Sequence, residues 1–243
     1  MTDTEIDISG LSVMLAMPVH RDLPWQTVLS LMETQAALAQ RGIAYEIRFE
    51  VGCSIIEMAR SKIVHGFLES GHNRLFWLDS DMAWRPQDFF RLLALSTAMP
   101  VVGGIYPVKR DPPFYFLNVK PGAELRTNEF GCVALDGLGL GFCCMAREPV
   151  EQASATAPRL LFPDMAGPIP HPFRCDDIGG LFRGEDGAFF ADLAALGYPC
   201  WLDPTVELGH VGSKEYRARL SDVLGSQPAN MAVPAGSIEV AAE

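Results

Sequence analysis

The sequence predicts an α/β fold, in which an open sheet flanked by helices is followed by a smaller α+β portion. Three observations favour this fold class. Short apolar runs alternate with segments of helical periodicity as far as Tyr106, which is typical of strands joined by crossover helices. Two carboxylates, Asp79 and Asp81, follow one apolar run directly, where open sheets of this class usually bind ligands. After Tyr106 the runs become irregular, because proline and glycine interrupt them.

The chain is predicted to begin with a strand, a helix and a second strand. The run LSVMLAMP (residues 11–18) is almost entirely apolar, as expected of a buried strand. Residues 24–40 carry apolar side chains near helical spacing, and Gly42 follows where such a helix would stop. The stretch AYEIRFEV (residues 44–51) alternates between apolar and polar residues, which indicates the second strand.

Two further helix and strand pairs are predicted before Tyr106. Residues 54–70 are predicted to form an amphipathic helix that ends at Gly71, and RLFWL (residues 74–78) a third strand. PQDFFRLLAL (residues 86–95) follows as a helix with proline in its first turn, and VVGGIY (residues 101–106) as a strand. Asp79 and Asp81 are therefore expected at the carboxyl end of the third strand, with both side chains on one side.

The second half is predicted to be an appended α+β portion of the same domain. KRDPPFYFLNV and FGCVALDGLGLGFCCMAR have the appearance of antiparallel or irregular strands, whereas GEDGAFFADLAALGYPCWLDP predicts a helix that ends at Gly197 and a short strand. Small residues and proline dominate the sequence after Ser221. We expect one domain over residues 10–220, with flexible termini at 1–9 and 221–243.

Composition restricts the classes of partner. The 30 acidic and 19 basic side chains give a formal charge of -11, and no basic run offsets it, which argues against a nucleic-acid partner. The amino terminus lacks the features of a signal peptide, and no apolar stretch approaches the roughly 20 residues that span a bilayer. We therefore expect a cytoplasmic protein without an integral membrane segment. The six cysteines form no C-x-x-C pair, so neither a zinc knuckle nor a redox motif is indicated.

Asp79 and Asp81 are the first candidates for chemistry. Two carboxylates one residue apart repel each other unless a cation lies between them, and a hard divalent cation held there could bind a diphosphate. The alternative is structural, with one aspartate capping the turn before Pro86 and the other solvated.

Two later segments offer further candidates. Glu185 and Asp186 occupy a predicted first helical turn, where negative charge is favoured in any case, but one of them could act as a general base or orient an acceptor hydroxyl. His210 could be a packing residue or could join the aspartates on manganese, and His171 is a weaker candidate for that role.

The glycines of DGLGLGFCCM do not have the spacing of a dinucleotide-binding fingerprint. They indicate either a strand that a ligand approaches closely or a glycine-rich turn between strands.

Taken in order, several motifs resemble those of GT-A-fold glycosyltransferases, specifically of the family 2-like kind. The motifs lie between Val13 and Gly212 and are MPVHRD, EMARSKIV, FWLDSDM, VVGGIYPVKR, GLGLGFCCMAR and GEDGAFFADLAALGYPCWLDPTVELGHVG. The resemblance implies a Rossmann-like mixed sheet with an appended acceptor-side portion. It also implies Mn²⁺ or Mg²⁺ as cofactor, a nucleotide-diphosphate sugar as donor, and a glycan, lipid-linked or small-molecule acceptor.

The resemblance assigns roles residue by residue. Asp81 matches the acid that binds the metal, Asp79 the acid that contacts the ribose or the metal, and His210 a late metal ligand. Asp186 matches the acid that often serves as base in inverting members, with Glu185 beside it. The remaining matches are Pro18 and Val19, at the strand end that touches the nucleobase, and Arg60, an arginine frequently found there. Two departures from the pattern are Ser61 in place of an asparagine and Gly184 in place of a serine; the first weakens the role of Arg60.

Other functions fit the motifs less well. A sugar nucleotidyltransferase would need a glycine-rich basic loop after the first strand, where this chain reads LAMPVHRDLPW. A dehalogenase-type phosphatase would place its D-x-D near the amino terminus, with a threonine two residues later. A non-catalytic nucleotide-sugar or glycan-binding module of the same fold is the remaining alternative, because a fold alone does not establish activity. The motifs do not determine the sugar, the acceptor, the oligomeric state, or an inverting versus a retaining course.

Overall fold

The structure, a computed structural model, describes residues 6–117, 127–224 and 238–241. The first half contains, in chain order, β1 (Ser12–Val19), α1 (Trp25–Gln40), β2 (Ala44–Val51), α2 (Ile56–Glu69), β3 (Arg74–Leu78), β4 (Met82–Ala83), α3 (Pro86–Leu95), β5 (Val101–Gly103) and β6 (Phe114–Leu117). The second half contains β7 (Val133–Leu135), β8 (Phe142–Ala146), α4 (Arg147–Thr156), β9 (Arg159–Leu160), β10 (Ile169–Pro170), β11 (Asp176–Ile178), β12 (Leu181–Arg183), α5 (Glu185–Ala195), β13 (Cys200–Leu202), β14 (Glu207–Val211), β15 (Glu215–Arg219), α6 (Leu220–Leu224) and β16 (Ile238–Ala241).

A mixed sheet of seven strands, in the order β2-β1-β3-β8-β5-β13-β7, forms the centre of the fold. Strand β1 pairs in parallel with β2 and β3, and β13 pairs in parallel with β5. Strand β8 runs antiparallel to both of its neighbours, β3 and β5. The predicted open sheet with crossover helices is confirmed, and its mixed character comes from the later strands.

Alternate side chains of the strands divide the core into two layers. Met14, Ala16 and Trp77 pack with apolar side chains of α2, α4 and α5 on one face of the sheet. Val13, Leu15 and Phe76 pack with side chains of α1 and α3 on the other. Because both faces are covered, β1 is buried from Val13 to Val19, which explains why its sequence is apolar rather than alternating.

The predicted elements of the first half match the observed ones closely, with two differences: the short strand β4 was not predicted, and the strand after α3 is shorter than predicted. The strand predicted over residues 101–106 ends at Gly103. The N–H of Gly104 still donates to the carbonyl of Phe142 at 2.9 Å, but the chain then leaves the sheet and carries Tyr106 towards Asp79.

A second, small sheet joins β4 to two late strands, β14 and β15. Strand β14 pairs antiparallel with β4 and with β15, and the N–H of Val211 donates to the carbonyl of Asp81 at 2.7 Å. This ladder brings His210 next to the paired aspartates, although the two motifs are more than a hundred residues apart.

The predicted flexible termini fall partly outside the described residues, which omit 1–5, 225–237 and 242–243. Within the segment 221–243, α6 extends to Leu224, and β16 pairs antiparallel with β6.

Across the described residues, every helix is too short or too polar to cross a lipid bilayer.

Candidate active site

Asp79 and Asp81 lie in the turn that follows β3, as the sequence predicts. The N–H of Asp79 donates to the carbonyl of Gly141 at 3.0 Å, and the N–H of Met82 donates to the carbonyl of Asp79 at 3.3 Å. Pro18 and Val19 end the neighbouring parallel strand β1 at the same edge of the sheet. The carboxyl ends of β1 and β3 therefore form one side of the candidate site.

Asp79 belongs to a group of four side chains, which we call the inner cluster: Arg60, Asp79, Tyr106 and Glu185. The Arg60 guanidinium lies 3.5 Å from Oδ1 of Asp79 through Nη2 and 2.6 Å from Oε1 of Glu185 through Nη1. The Tyr106 hydroxyl donates to Oδ2 of Asp79 at 3.1 Å. Arg60 is only 4% exposed, so its charge is directed to these two carboxylates rather than to solvent.

The carboxylates of the inner cluster are difficult to ionise. Burial raises the pKa of Asp79, and the Arg60 guanidinium only partly opposes this effect. Burial likewise raises the pKa of Glu185 against the same guanidinium. The negative charge of Asp186 adds to both increases. One arginine thus pairs with two carboxylates, and a third carboxylate, that of Asp186, is close enough to raise the pKa of both.

Asp81 belongs to a second group, the outer cluster, which consists of Asp81, Lys109 and His210. One oxygen of Asp81, Oδ2, accepts a hydrogen bond from Nζ of Lys109 at 2.5 Å and lies 3.3 Å from Nε2 of His210. Burial alone would raise the pKa of Asp81, but a hydrogen bond from His210 in its doubly protonated form and one from Lys109 lower it to about 2. Asp81 is therefore a carboxylate at every physiological pH.

The orientation of His210 makes it a suitable metal ligand. Its Nδ1 lies 3.0 Å from the carbonyl oxygen of Pro107, and because a carbonyl can only accept, Nδ1 carries the proton. In the neutral ring, Nε2 then directs its lone pair towards Oδ2 of Asp81. Two acceptors 3.3 Å apart need a proton or a cation between them. An imidazole fixed by a backbone carbonyl beside a carboxylate is a common arrangement of metal ligands.

Oxygen and imidazole nitrogen are donors that Mn²⁺ accepts, so the pair of Asp81 and His210 fits the implied cation. Within residues 6–117, 127–224 and 238–241, no three His, Cys, Asp or Glu side chains are gathered to hold a metal ion. Asp79, the third predicted ligand, is instead bound to Arg60 and Tyr106, and its metal role stays a prediction.

Glu185 and Asp186 begin α5, where the unpaired N–H groups of the first turn favour acidic residues. Glu185 is engaged by Arg60 at 2.6 Å. Asp186 is half-buried and accepts the N–H of Gly187 at 3.0 Å through Oδ1, and it forms no salt bridge with a described side chain. Of the two predicted catalytic carboxylates, Asp186 is thus the one without a salt bridge among the described residues, and the catalytic role of both stays a prediction.

His171 lies in a different environment from His210. The Ser61 hydroxyl donates to the carbonyl of Glu57 at 2.7 Å, so it must accept the hydrogen bond from Nδ1 of His171 at 2.8 Å. Burial lowers the pKa of His171. The histidine is thereby linked to helix α2, and Ser61, one of the departures from the family pattern, has a structural partner.

Sequence reasoning missed three residues of the site: Tyr106, Lys109 and Gly141. A Cβ atom at position 141 would lie 2.5 Å from Oδ2 of Asp79 and 2.6 Å from Cε1 of Tyr106. Glycine is therefore required by the close approach of the site's own side chains. The glycine-rich run and the tyrosine at the end of VVGGIY were visible signals, whereas nothing in the sequence pairs Lys109 with Asp81.

Comparisons with known proteins agree with the fold. No protein-family model and no curated protein matches the sequence. A197 from STIV aligns over 83% of this chain and 86% of its own, with 20% identity and a TM-score of 0.51. GalNAc-T7, solved with UDP, GalNAc and Mn²⁺, aligns over 86% of this chain with 12% identity and a TM-score of 0.53. The present chain spans 45% of that protein. These likenesses show that the fold is of the GT-A type, as predicted.

Proposed function

We propose that the chain is a glycosyltransferase that moves a sugar from a nucleotide-diphosphate sugar to a hydroxyl acceptor, with Mn²⁺ or Mg²⁺ as cofactor. The convergence of Oδ2 of Asp81 and Nε2 of His210 at the carboxyl edge of the sheet is the observation that carries the proposal. The GT-A-type fold supports it, as does the binding of UDP and Mn²⁺ by GalNAc-T7, a protein of similar fold.

In this proposal Asp81 and His210 hold the cation, and Asp79 contacts it or the ribose of the donor. The bound cation would stabilise the negative charge that a nucleotide diphosphate gains when it leaves the sugar. Pro18 and Val19 would contact the nucleobase from the end of β1. The burial of Arg60 supports a positioning role, in which its guanidinium fixes Asp79 rather than touching the base.

Asp186 is the proposed general base in an inverting reaction. The acceptor hydroxyl would lose its proton to the Asp186 carboxylate as the hydroxyl oxygen forms its bond to the sugar and the bond to the diphosphate breaks. In a retaining reaction Asp186 would position the substrate instead. Glu185, held by Arg60, would orient the start of α5.

We further propose that the acceptor is a glycan, a lipid-linked sugar or a small molecule, and that the protein acts in the cytoplasm. The net charge of -11 supports the exclusion of nucleic acid as a partner.

The metal role can be tested by calorimetry of UDP and GDP binding with Mn²⁺ and with a chelator. We expect the native protein to bind one of the nucleotides about tenfold to a hundredfold more tightly in Mn²⁺ than in chelator. Asp81→Asn should remove this difference, because it takes a negative ligand from the cation while preserving the side-chain shape.

His171→Ala is the matched control and should retain the Mn²⁺ effect. Equal affinities in Mn²⁺ and in chelator for the native protein would contradict the metal role. Slow donor hydrolysis in Mn²⁺ without acceptor would distinguish an enzyme from a binding module, which would bind the donor and leave it intact.

A further inference from the structure

Lys109 contacts the carboxylate that the proposed cation needs. Its Nζ lies 2.5 Å from Oδ2 of Asp81, and the same oxygen faces Nε2 of His210 at 3.3 Å. The ammonium group therefore occupies the side of Asp81 where the candidate metal ligands converge.

The segment that carries Lys109 is held by several contacts of its own. The carbonyl of Pro107 accepts the Nδ1 proton of His210, and the N–H of Val108 donates to the carbonyl of Phe114 at 2.9 Å. The Arg110 guanidinium lies 4.1 Å above the centre of the Phe114 ring. These contacts place the backbone of Lys109 beside the site irrespective of its ammonium group.

The turn between β14 and β15 supports the same lysine. A Cβ atom at position 212 would lie 3.0 Å from Cδ of Lys109, so Gly212 allows the lysine stem to pass close to the backbone. Lys214 of this turn forms a salt bridge with Asp111. The stem of Lys109 therefore passes close to Gly212 on its way to Asp81.

We infer that Lys109 is a tethered cation that competes with the divalent metal for Asp81 and, once displaced, pairs with the diphosphate of the donor. This inference rests on the proposed function. An ammonium group and a divalent cation at the same carboxylate oxygen repel each other, so the presence of either one weakens the binding of the other. The lysine side chain is 38% exposed, so its ammonium group can leave Asp81 for solvent on its flexible stem.

The displaced ammonium group would supply a second positive charge to the leaving diphosphate. Metal binding frees Lys109, and a bound diphosphate stabilises the freed position, so each event favours the other. Metal without nucleotide should therefore bind weakly, and metal with nucleotide should bind tightly. The lysine would couple metal capture to the arrival of the donor.

Two affinities test the inference. The first is the affinity of the protein for Mn²⁺ without nucleotide, measured from the electron paramagnetic resonance signal of the ion. The second is the affinity for UDP or GDP in saturating Mn²⁺. Lys109→Met keeps the apolar stem and removes the charge. We expect it to bind Mn²⁺ alone about threefold to tenfold more tightly, and the nucleotide about threefold to tenfold more weakly. Opposite changes in the two affinities are the signature of the exchange.

Lys214→Met is the matched control, because it removes one positive charge from the adjoining turn without touching Asp81. Both of its affinities should stay within about twofold of the native values, which is roughly the scatter expected of surface changes. Lys109→Gln provides a second neutral variant if Lys109→Met does not fold, as judged by its melting curve.

Unchanged or weakened Mn²⁺ binding in both neutral variants, together with Mn²⁺-dependent nucleotide binding by the native protein, would overturn the inference and leave the proposed function in place. If no protein in the set binds Mn²⁺ and nucleotide binding by the native protein is the same in chelator, both are overturned.

Discussion

Asp79 and Asp81 are one residue apart in the sequence, yet they have opposite electrostatic environments. Burial raises the pKa of Asp79, which shares Arg60 with Glu185, whereas His210 and Lys109 lower the pKa of Asp81 to about 2 despite its burial. The inner cluster thus resembles a structural ion-pair network, whereas the outer cluster offers an ionised carboxylate whose partner, Lys109, is exposed. The comparison teaches that a D-x-D motif identifies two acids, whereas the neighbouring side chains decide which one is ready to bind a cation.

The largest expected effect concerns Asp186, the carboxylate next to the inner cluster that Arg60 does not engage. Asp186→Asn keeps the side-chain shape but cannot take a proton, so nucleotide binding should survive and turnover should fall by about a hundredfold or more. Transfer rates with the donor and acceptor that support activity, measured beside calorimetric donor affinities, check this prediction.

Glu185→Gln is the control for Asp186, because it changes the neighbouring carboxylate that belongs to the inner cluster. A near-native rate for Asp186→Asn together with a large loss for Glu185→Gln would assign the base to the other acid. Activity in both variants would indicate that no protein base is used.

Arg60→Met should show that the inner cluster contributes more to the stability of the fold than the outer cluster does. The substitution leaves two partly buried carboxylates without their cation, and we expect it to lower the free energy of unfolding by about 3 kcal/mol. The matched change in the outer cluster, Lys109→Met, removes an exposed partner and should cost less than about 1 kcal/mol. Urea denaturation in chelator measures both, and comparable losses would show that the clusters do not differ as described.

Gly141→Ala should perturb the inner cluster without altering any charge. The new methyl group would lie within 2.6 Å of both Asp79 and Tyr106, which forces these side chains to move and should cost about 1–3 kcal/mol. Gly71→Ala is the control, because no atom lies within 4 Å of its Cβ position and its φ is not positive. A thermal-denaturation midpoint for Gly141→Ala equal to that of the control would refute the packing argument.

The smallest expected effect is a difference in pH dependence between Asp79→Asn and Asp81→Asn in chelator. The pKa of Asp81 is lowered on folding, so its carboxylate stabilises the fold above about pH 4, and this stabilisation is lost as the pH falls towards 2. Asp81→Asn should therefore be destabilised by about 1 kcal/mol at pH 7, a value reduced for partial exposure of the side chain, and should match the native protein near pH 2.

Asp79 should behave in the opposite way. Its pKa is raised on folding, so the protonated form is favoured in the folded state and that advantage is lost as the pH rises through the folded pKa. Asp79→Asn mimics the protonated acid and should unfold less readily than the native protein at pH 7, with the gain disappearing below about pH 4. Urea unfolding at several pH values measures both effects. If both variants changed the free energy of unfolding at pH 7 in the same direction, the contrast between the two aspartates would be contradicted.

Much of this fold is visible in the sequence, because local patterns determine it. Helices α1, α2 and α3 follow from apolar periodicity, and the position of Asp79 and Asp81 follows from the end of β3. The pairing of β8 between β3 and β5 depends on contacts between distant segments, which no local period encodes.

The candidate site was predictable to the extent that its residues carry recognisable chemistry. The juxtaposition of His210 with Asp81 depends on the ladder between β4 and β14, and the contact of Lys109 with Asp81 depends on an irregular loop. The capture of Glu185 by Arg60 joins two helices far apart in sequence. Such distances between segments are set by packing of the whole core. The sequence could therefore name His210, Arg60 and Glu185 but not their partners, and it did not indicate Lys109 at all.

The reversed direction of β8 has a consequence for how the fold can vary. Strand β5 ends and β8 begins at the same edge of the sheet, where Gly103 pairs with Cys143 and the N–H of Gly104 donates to the carbonyl of Phe142. The chain between them is thus an excursion with both ends anchored beside Asp79. That excursion brings Tyr106 to Asp79 and Lys109 to Asp81 and adds β7 to the edge of the sheet, so changes near its first anchor would alter the site itself.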